Sequence, residues 1–459
     1  MNARLVRHVI YPLHELLRGR RTFACLRELE ATQWWSPEKL QSLQRAKLRE
    51  LLIGAQAHCP YYRRLFATRG VDPAGADPFD ALSRLPTLNK ALIRAHRDDL
   101  TWTGVPGGIQ TSVTGGSTGQ PLRFHFDRRR QGYDKAARMR THRWFGADVG
   151  DREAYLWGNP LEITNQDRLK ALRDRLTNEL LLSAFDLTEP RMADYLDRIG
   201  RYDPRSIFGY PSSLTRLCRY ARSTDRVVQP PSLRAVFVTG ELLDDAQRRL
   251  IHETFAVPVA NGYGSREAGF IAHDCPEGRM HVTDENVIVE FVDDDGRPRP
   301  AGRCGEIVIT HLDTPGMPLI RYRTGDVGRR VEGPCPCGRG LSGLEIVGGR
   351  RTDHLVATDG TVMHGLSLIY VLREIDAVEQ FQVRQDVAGA VEIAIVPAGA
   401  LDRGDLQRIE RGTRDLLGWD VALNIRQVDR IETSASGKFR CVVSQAAGDC
   451  NPIASEVGG

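Results

Sequence analysis

The sequence predicts an α/β protein: a large N-terminal domain over residues 1–348, with α/β sheets and a β-rich subdomain, then a small α+β domain over 349–459. Three observations carry this. The middle of the chain alternates short β-rich runs with helices, the signature of a parallel sheet. From Asn286 the pattern changes to hairpins. After Gly348-Gly349 a new unit begins, with a strand at 391–396, a helix at 405–417 and a strand near 424–428. The boundary falls near Gly349-Arg350-Arg351, and the polar tail after Gln445 reads as fraying.

Taken in order, the first 21 residues, MNARLVRHVIYPLHELLRGRR, are basic and partly apolar. Their longest apolar run is too short for a signal-peptide core. They read as a helix packed on the body, with contact to a membrane or partner as the alternative. Ser36-Pro37-Glu38 is a helix start: serine caps, proline takes the first helical position and an acid follows. Leu40, Leu43, Leu48, Leu51, Leu52 and Ala55 then recur at helical spacing over about five turns. Ala235-Val-Phe-Val-Thr-Gly-Glu241 reads as a buried strand ending in a glycine loop. A helix over 244–254, a strand over 257–260 and a loop holding Tyr263 follow. In such sheets ligands bind at the carboxyl ends of the strands, where Glu241 and Tyr263 both fall. Residues 287–292 and 306–310 flank an Asp/Gly/Pro turn and read as a hairpin.

Composition excludes several classes. The chain has 459 residues, 41% hydrophobic and 27% charged, ordinary for a globular protein. A net charge of +4 implies no general nucleic-acid surface. No apolar run approaches the ~20 residues of a membrane helix. Nine cysteines without a signal peptide fit a reducing, cytoplasmic compartment. Only six of the 63 basic residues are lysine, so each lysine bears examination; after Lys170 the next is Lys438, in Thr433-Ser-Ala-Ser-Gly-Lys-Phe-Arg440.

The segment Thr111-Ser-Val-Thr-Gly-Gly-Ser-Thr-Gly-Gln-Pro121 is glycine- and hydroxyl-rich and nearly free of apolar residues. Its residues Thr114, Gly115, Gly116, Ser117, Thr118 and Gly119 suit an anion cradle, in which glycine lets the backbone approach a phosphate. It lacks the Gly-Lys-Ser/Thr ending of a P-loop. A second cluster joins His273-Asp-Cys275 and His281 to Cys335-Pro-Cys337. Three cysteines and a histidine can form a tetrahedral zinc site, here Cys275, His281, Cys335 and Cys337. His273 and Cys304 compete as ligands; two disulfides or a bare turn are the alternatives.

The order TSVTGGSTGQP, NGYGSREAGF, RYRTGD and SGKFR resembles the adenylate-forming superfamily of acyl-CoA synthetases. The resemblance is to its phenylacetate-CoA ligase, CapK-like and coenzyme F390 synthetase-like branch. It extends over nearly the whole chain, including YPLHELLRGR, HCPYYRRLF, GYPSSL and CPCGRG. It implies the adenylate-forming enzyme fold, with a multi-layer large domain and a mobile small one. The implied activity joins ATP to a small-molecule carboxylic acid, forming acyl-AMP, and then passes the acyl group to coenzyme A. A carrier-protein thiol, an amine acceptor or adenylyl transfer remain alternatives, as does a nucleotide-binding scaffold without turnover. By resemblance, residues 114–119 hold the triphosphate, Tyr263 brings its ring near the adenine, Gly240, Glu241 and Gly264 count among the cofactor-binding residues, and Glu267 binds Mg2+. Asp326 accepts both ribose hydroxyls, Arg350 reaches the nucleotide, and Lys438 acts at the α-phosphate in one position of the small domain. The pivot is Thr352 or Asp353. The acid pocket is assigned to Tyr155, Trp157, Phe208, Tyr210 and Pro211, with Gly240 at its floor and Tyr133 and Trp144 as further contributors. Some members of this branch carry a structural zinc at the cysteine cluster. A dimer is left open as the assembly.

Overall fold

A computed structural model describes residues 1–75, 77–114, 122–157, 177–184, 187–243, 245–293, 295–348, 354–373, 375, 377–431, 442–444 and 446. Their contacts divide the chain into two compact units.

The first unit is built from Met1–Thr114, Leu122–Asp151 and Ala260–Val347. Its frame helix, Pro37–His58, starts as its sequence dictates: the Ser36 hydroxyl accepts the Lys39 N–H at 3.4 Å and Pro37 sits in the first turn. Leu48, Leu51, Leu52 and Ala55 face inward onto Tyr62, Phe66, Ile271, Val287, Ile307 and Tyr322. Each fully buried leucine contributes about 2 kcal/mol from area alone. The helix ends at extended Cys59 because Pro60 follows, disfavouring helical backbone before it. Pro60 then opens the helix Pro60–Arg69, which Gly70 closes at φ 60°.

The strands of this unit run in the order Val287–Val292, Gly305–His311, Tyr322–Val331, Gly343–Gly348, Met280–Val282, Gly269–Asp274 and Val259–Ser265. The expected hairpin is present, with Val287 opposite His311 and Val292 opposite Glu306. The strand expected over 257–260 starts later, at Val259, and runs through Tyr263 to Ser265, so Tyr263 lies on a strand rather than in a loop. Ala256 at φ 54° and Pro258, which has no N–H to donate, keep the ladder from starting sooner. A separate hairpin, Ile109–Val113 with Arg123–Asp127, precedes the helix Arg128–Trp144, along which Thr22–Thr32 packs.

The second unit contains Arg152–Val259 and the described residues from 348 on. Its parallel strands run in the order Glu179–Ser183, Glu153–Trp157, Ser206–Gly209 and Ala235–Thr239, as the alternation predicts. Helices Glu189–Tyr202, Pro211–Ser223 and Asp245–Phe255 share a core with them. Residues 355–442 have a core of their own. There, strands Ala422–Gln427, Ala390–Pro397, Val378–Gln385 and Val442–Ser444 form one sheet, with helices Leu366–Arg373 and Arg403–Leu417. Asp402 and Asp405 form a reciprocal cap at the second helix.

Candidate active site

Strand Val259–Ser265 and strand Gly269–Asp274 are joined by the turn Arg266-Glu267-Ala268. The turn is tight enough to need glycine: a Cβ on Gly264 would stand 2.5 Å from the Gly269 carbonyl oxygen. The turn's carbonyls are held by Arg130, whose guanidinium donates to the Glu267 oxygen at 2.8 Å and the Arg266 oxygen at 2.6 Å. Arg130 is itself buried, between the Phe124 and Phe126 rings. The backbone of Glu267 is thus fixed by a cation, independently of its carboxylate.

That carboxylate is 5% exposed. Its Oε1 accepts the Tyr322 hydroxyl at 2.8 Å and lies 3.3 Å from the Lys90 ammonium. Tyr322 and Asp326 are four residues apart on one strand, with a register shift and Gly325 at φ 87° between them. The Tyr263 hydroxyl donates to Asp326 Oδ2 at 2.8 Å. Tyr263, Glu267 and Asp326, expected from their motifs, are brought together with Tyr322 and Lys90. Sequence reading missed Lys90. It is the first residue of helix Lys90–His96, after the capping Asn89, and Leu88 is tied to Arg321 and Arg323 through the backbone. The scarcity of lysine in this chain was the signal available for it.

Thr114 closes the hairpin from which the glycine segment departs. Its N–H donates to the Leu122 carbonyl at 2.9 Å, and its hydroxyl accepts the Leu122 N–H at 3.0 Å. Arg266 donates to the Val113 carbonyl at 3.1 Å, joining the base of that segment to the Glu267 turn. Gly115, Gly116, Ser117, Thr118 and Gly119 lie outside the described residues, as do Arg350, Thr352, Asp353 and Lys438.

In the second unit the carboxyl ends of the parallel strands collect aromatic rings. Tyr155 and Trp157 alternate with buried Ala154 and Leu156, so they share one face. Trp157 stacks on Tyr210 with centroids 4.1 Å apart, and Phe208 lies 5.6 Å from Tyr155 and 5.3 Å from Trp157. Gly240, at φ 83°, comes so near this group that a Cβ would meet the Tyr210 ring at 3.1 Å. Pro211 opens the helix Pro211–Ser223. Glu241 accepts both the Ser212 N–H and the Ser212 hydroxyl at 2.9 Å, placing its charge at that helix's N-terminus. Tyr133 and Trp144 belong to the first unit. Tyr133 packs with Cys25 and Leu29 and donates to Glu28 at 2.7 Å; Trp144 donates to Gln33 at 2.8 Å. Both belong to helix Arg128–Trp144, whose inward face serves the first unit's core.

The cysteine cluster is assembled in the first unit. One donor atom each from Cys275, His281, Cys335 and Cys337 lies within 4.8 Å of every other. Two Cys-Pro-x-Gly turns present the thiols: the Gly278 N–H donates to the Cys275 carbonyl at 2.9 Å and the Gly338 N–H to the Cys335 carbonyl at 3.0 Å. Both glycines have φ near 80°, at 79° and 77°. Cys275 and Cys335 sulfurs are 3.8 Å apart, and Cys337 sulfur is 3.2 Å from His281 Nε2. A tetrahedral zinc with ordinary bond lengths separates its ligands by about 3.3–3.8 Å. The Nδ1 of His281 is 3.0 Å from the Leu341 carbonyl, an arrangement that directs Nε2 at the thiols. Burial raises the Cys275 thiol to about 12 and lowers His281 to about 4. For Cys337 burial acts upward, but hydrogen bonds from the Arg339 backbone and side chain outweigh it and the thiol lies below its usual value. His273 is outside the cluster: its Nδ1 is 2.7 Å from the Asp274 carbonyl and its ring stacks on Phe270. Cys304 is also outside it, and the described cysteines are free thiols, so neither disulfide is formed.

Comparison with known proteins follows the same lines. The AMP-binding enzyme family matches residues 180–313 and the CapK C-terminal domain matches residues 355–445. Phenylacetate-coenzyme A ligase of Thermus thermophilus is 26% identical over 384 residues, covering 81% of each chain. Protein CapK of Staphylococcus aureus is 22% identical over 372 residues, 79% of this chain and 80% of its own. Among solved structures, 2-hydroxyisobutyryl-CoA ligase in complex with 2-HIB-AMP and CoA superposes with a TM-score of 0.61 at 18% identity. The match spans 90% of this chain and 91% of that one and shows a shared fold. The two family matches and these relatives support the adenylate-forming superfamily, in its phenylacetate-CoA ligase and CapK-like branch.

Proposed function

We propose that this protein is an AMP-forming acid–thiol ligase. A carboxylate attacks the α-phosphorus of ATP and pyrophosphate leaves; the thiol of coenzyme A then attacks the acyl-AMP and AMP leaves. The observation that carries this reading is the grouping of Tyr263, Asp326, Glu267, Tyr322 and Lys90 in one unit. Asp326 offers a carboxylate to the ribose hydroxyls and Tyr263 a ring to the base. Glu267 is a hard-oxygen ligand suited to Mg2+, which at nucleotide sites takes one or two carboxylates plus phosphates. Lys90 adds positive charge where phosphoryl charge develops. Residues 114–119 are assigned to the triphosphate, and Gly240, with the aromatic group of Tyr155, Trp157 and Tyr210, to the acyl group. The ligase whose fold this chain shares was solved with an acyl-AMP and CoA, which supports coenzyme A as acceptor.

The reading extends to the small domain and to zinc. A domain over 349–459 carrying Lys438 is supported by the separate core of 355–442 and by the CapK C-terminal match. A structural zinc at Cys275, His281, Cys335 and Cys337 is supported by donor spacings of 3.8 and 3.2 Å.

ATP–pyrophosphate exchange across aryl, fatty and hydroxy acids tests the first half-reaction, and CoA-dependent AMP release the second. Lys438→Ala is expected to lose most exchange yet still convert supplied acyl-AMP with CoA. Exchange with none of the acids overturns the ligase reading; near-normal exchange in Lys438→Ala overturns the role of that lysine.

A further inference from the structure

The first helical segment of the chain is fastened on one side and left open on the other. It runs from Ala3 to Leu17, with a π-helical turn over Val6–Ile10. Val6 is fully buried where the helix crosses Gly150. There the backbone approaches so closely that a Cβ on Gly150 would stand 2.7 Å from the Ala3 carbonyl oxygen. Arg7 pairs with Asp148 at 3.1 Å and Asp151 at 2.8 Å. Glu15, 1% exposed, accepts the Thr22 hydroxyl at 2.6 Å and the Lys135 ammonium at 2.7 Å. These long-range contacts hold the helix in one orientation on the first unit.

The opposite side is apolar and in solvent. Leu5, Val9, Leu13, Leu16 and Leu17 are 45%, 52%, 52%, 71% and 80% exposed. Their spacing of four, four, three and one is that of a helix stripe. Around them the exposed charges are of one sign: Arg4, Arg18, Arg21 and Arg27. The sole acid among the first 27 residues is Glu15, buried and neutralised by its partners. No helix among the described residues is long and apolar enough to cross a membrane.

We propose that this face docks on an anionic lipid surface, with the five apolar side chains in the headgroup boundary and the arginines at phosphate level. Apolar insertion and basic attraction are each marginal alone and suffice together. A second copy of the chain fits poorly. A twofold contact through this helix would bring the arginines of one copy toward those of the other, with no exposed acid among the first 27 residues to pair with them.

The test is sedimentation of the full chain with phosphatidylcholine vesicles, with or without about one third phosphatidylglycerol. Wild type is expected to pellet with the anionic vesicles, and to be released by roughly 0.5 M salt, which shortens the electrostatic range. Leu13→Glu with Leu16→Glu should abolish binding, and Arg18→Glu with Arg21→Glu should weaken it by at least about fivefold per arginine. These side chains are exposed, so thermal midpoint and ATP–pyrophosphate exchange should stay at wild-type values. Equal binding to neutral vesicles, no binding by wild type, or unchanged binding by the variants overturns the proposal. A wild-type dimer in light scattering that Leu13→Glu with Leu16→Glu splits would assign the face to a second copy instead.

Discussion

The cysteine cluster and the Glu267 turn occupy the same compact unit but are assembled in opposite ways. Three of the cluster's four donors come from two Cys-Pro-x-Gly turns, each closed by its own backbone hydrogen bond. The Glu267 group draws one side chain each from a helix start, a strand and a turn, and two from a second strand that is not adjacent to the first in the sheet order. The first is a largely local device whose donor atoms converge within 4.8 Å of one another. The second exists only once distant segments of a sheet are in register. Removing a member of the first should therefore be felt by the fold, and removing a member of the second by the chemistry.

The strongest way to break this contrast is Glu267→Gln. Its backbone is held by Arg130, so the turn should persist without the charge. Exchange activity is expected to fall about 10²–10³-fold, the cost of one charge-stabilising group, with the thermal midpoint within a few degrees of wild type. Lys90→Gln should show the same pattern at about tenfold, because its ammonium acts beside Glu267 rather than in its place. Loss of folding in either variant would erase the contrast.

The reverse pattern is expected at Cys335→Ser. Metal analysis of wild type should find about one zinc per chain, and the variant should lose it together with several kcal/mol of stability. At a temperature where the variant remains folded, its Km for ATP should match wild type. Absence of zinc in wild type would overturn the metal assignment.

A smaller effect sharpens the same side of the comparison. Asp284 accepts the N–H of Ser342, beside the Leu341 carbonyl that orients His281. Burial, reinforced by Glu285, raises the Asp284 carboxyl from 3.8 to about 7. The folded chain therefore binds a proton there that the unfolded chain releases near pH 4. Stability from this group is full below pH 4 and is lost as pH rises through 7. Asp284→Asn should raise stability by about 4 kcal/mol at pH 8 and by nothing near pH 4. Melting curves across that range check it; an equal effect at both ends would mean the buried charge is not its cause.

Local patterns carried much of this protein in the sequence. The Ser36-Pro37 cap, the 287–292 hairpin strand and most of the helix Arg403–Leu417, expected over 405–417, were legible because caps, turns and periodicity act within a few residues. The four-motif order pointed to the branch, and the four Cys/His donors were legible because three of them lie within tight turns. The sequence named His281 with His273 as its competitor, and could not decide between them by pattern. The two are buried direct partners across neighbouring strands, and what sets His281 apart is the Leu341 carbonyl at its Nδ1, sixty positions away, with Nε2 at Cys337. Lys90 was equally hidden, since its role depends on Leu88 pairing with residues 321 and 323, more than two hundred positions away.

By itself, then, the sequence determined what lies within one turn or one period: the element types, the glycine segment, the paired thiols and the motifs of the family. Tertiary structure alone decided which side chains share a partner. It placed Lys90 and Tyr322 on Glu267, Tyr263 on Asp326, and Glu241 on the start of a helix. It also decided that the leucines of the first helix face solvent, since a helical period records that a stripe exists but not which surface covers it. The physical reason is range: caps and turns are set by neighbouring backbone groups, whereas burial and ion pairing depend on segments that meet only after the sheet has formed.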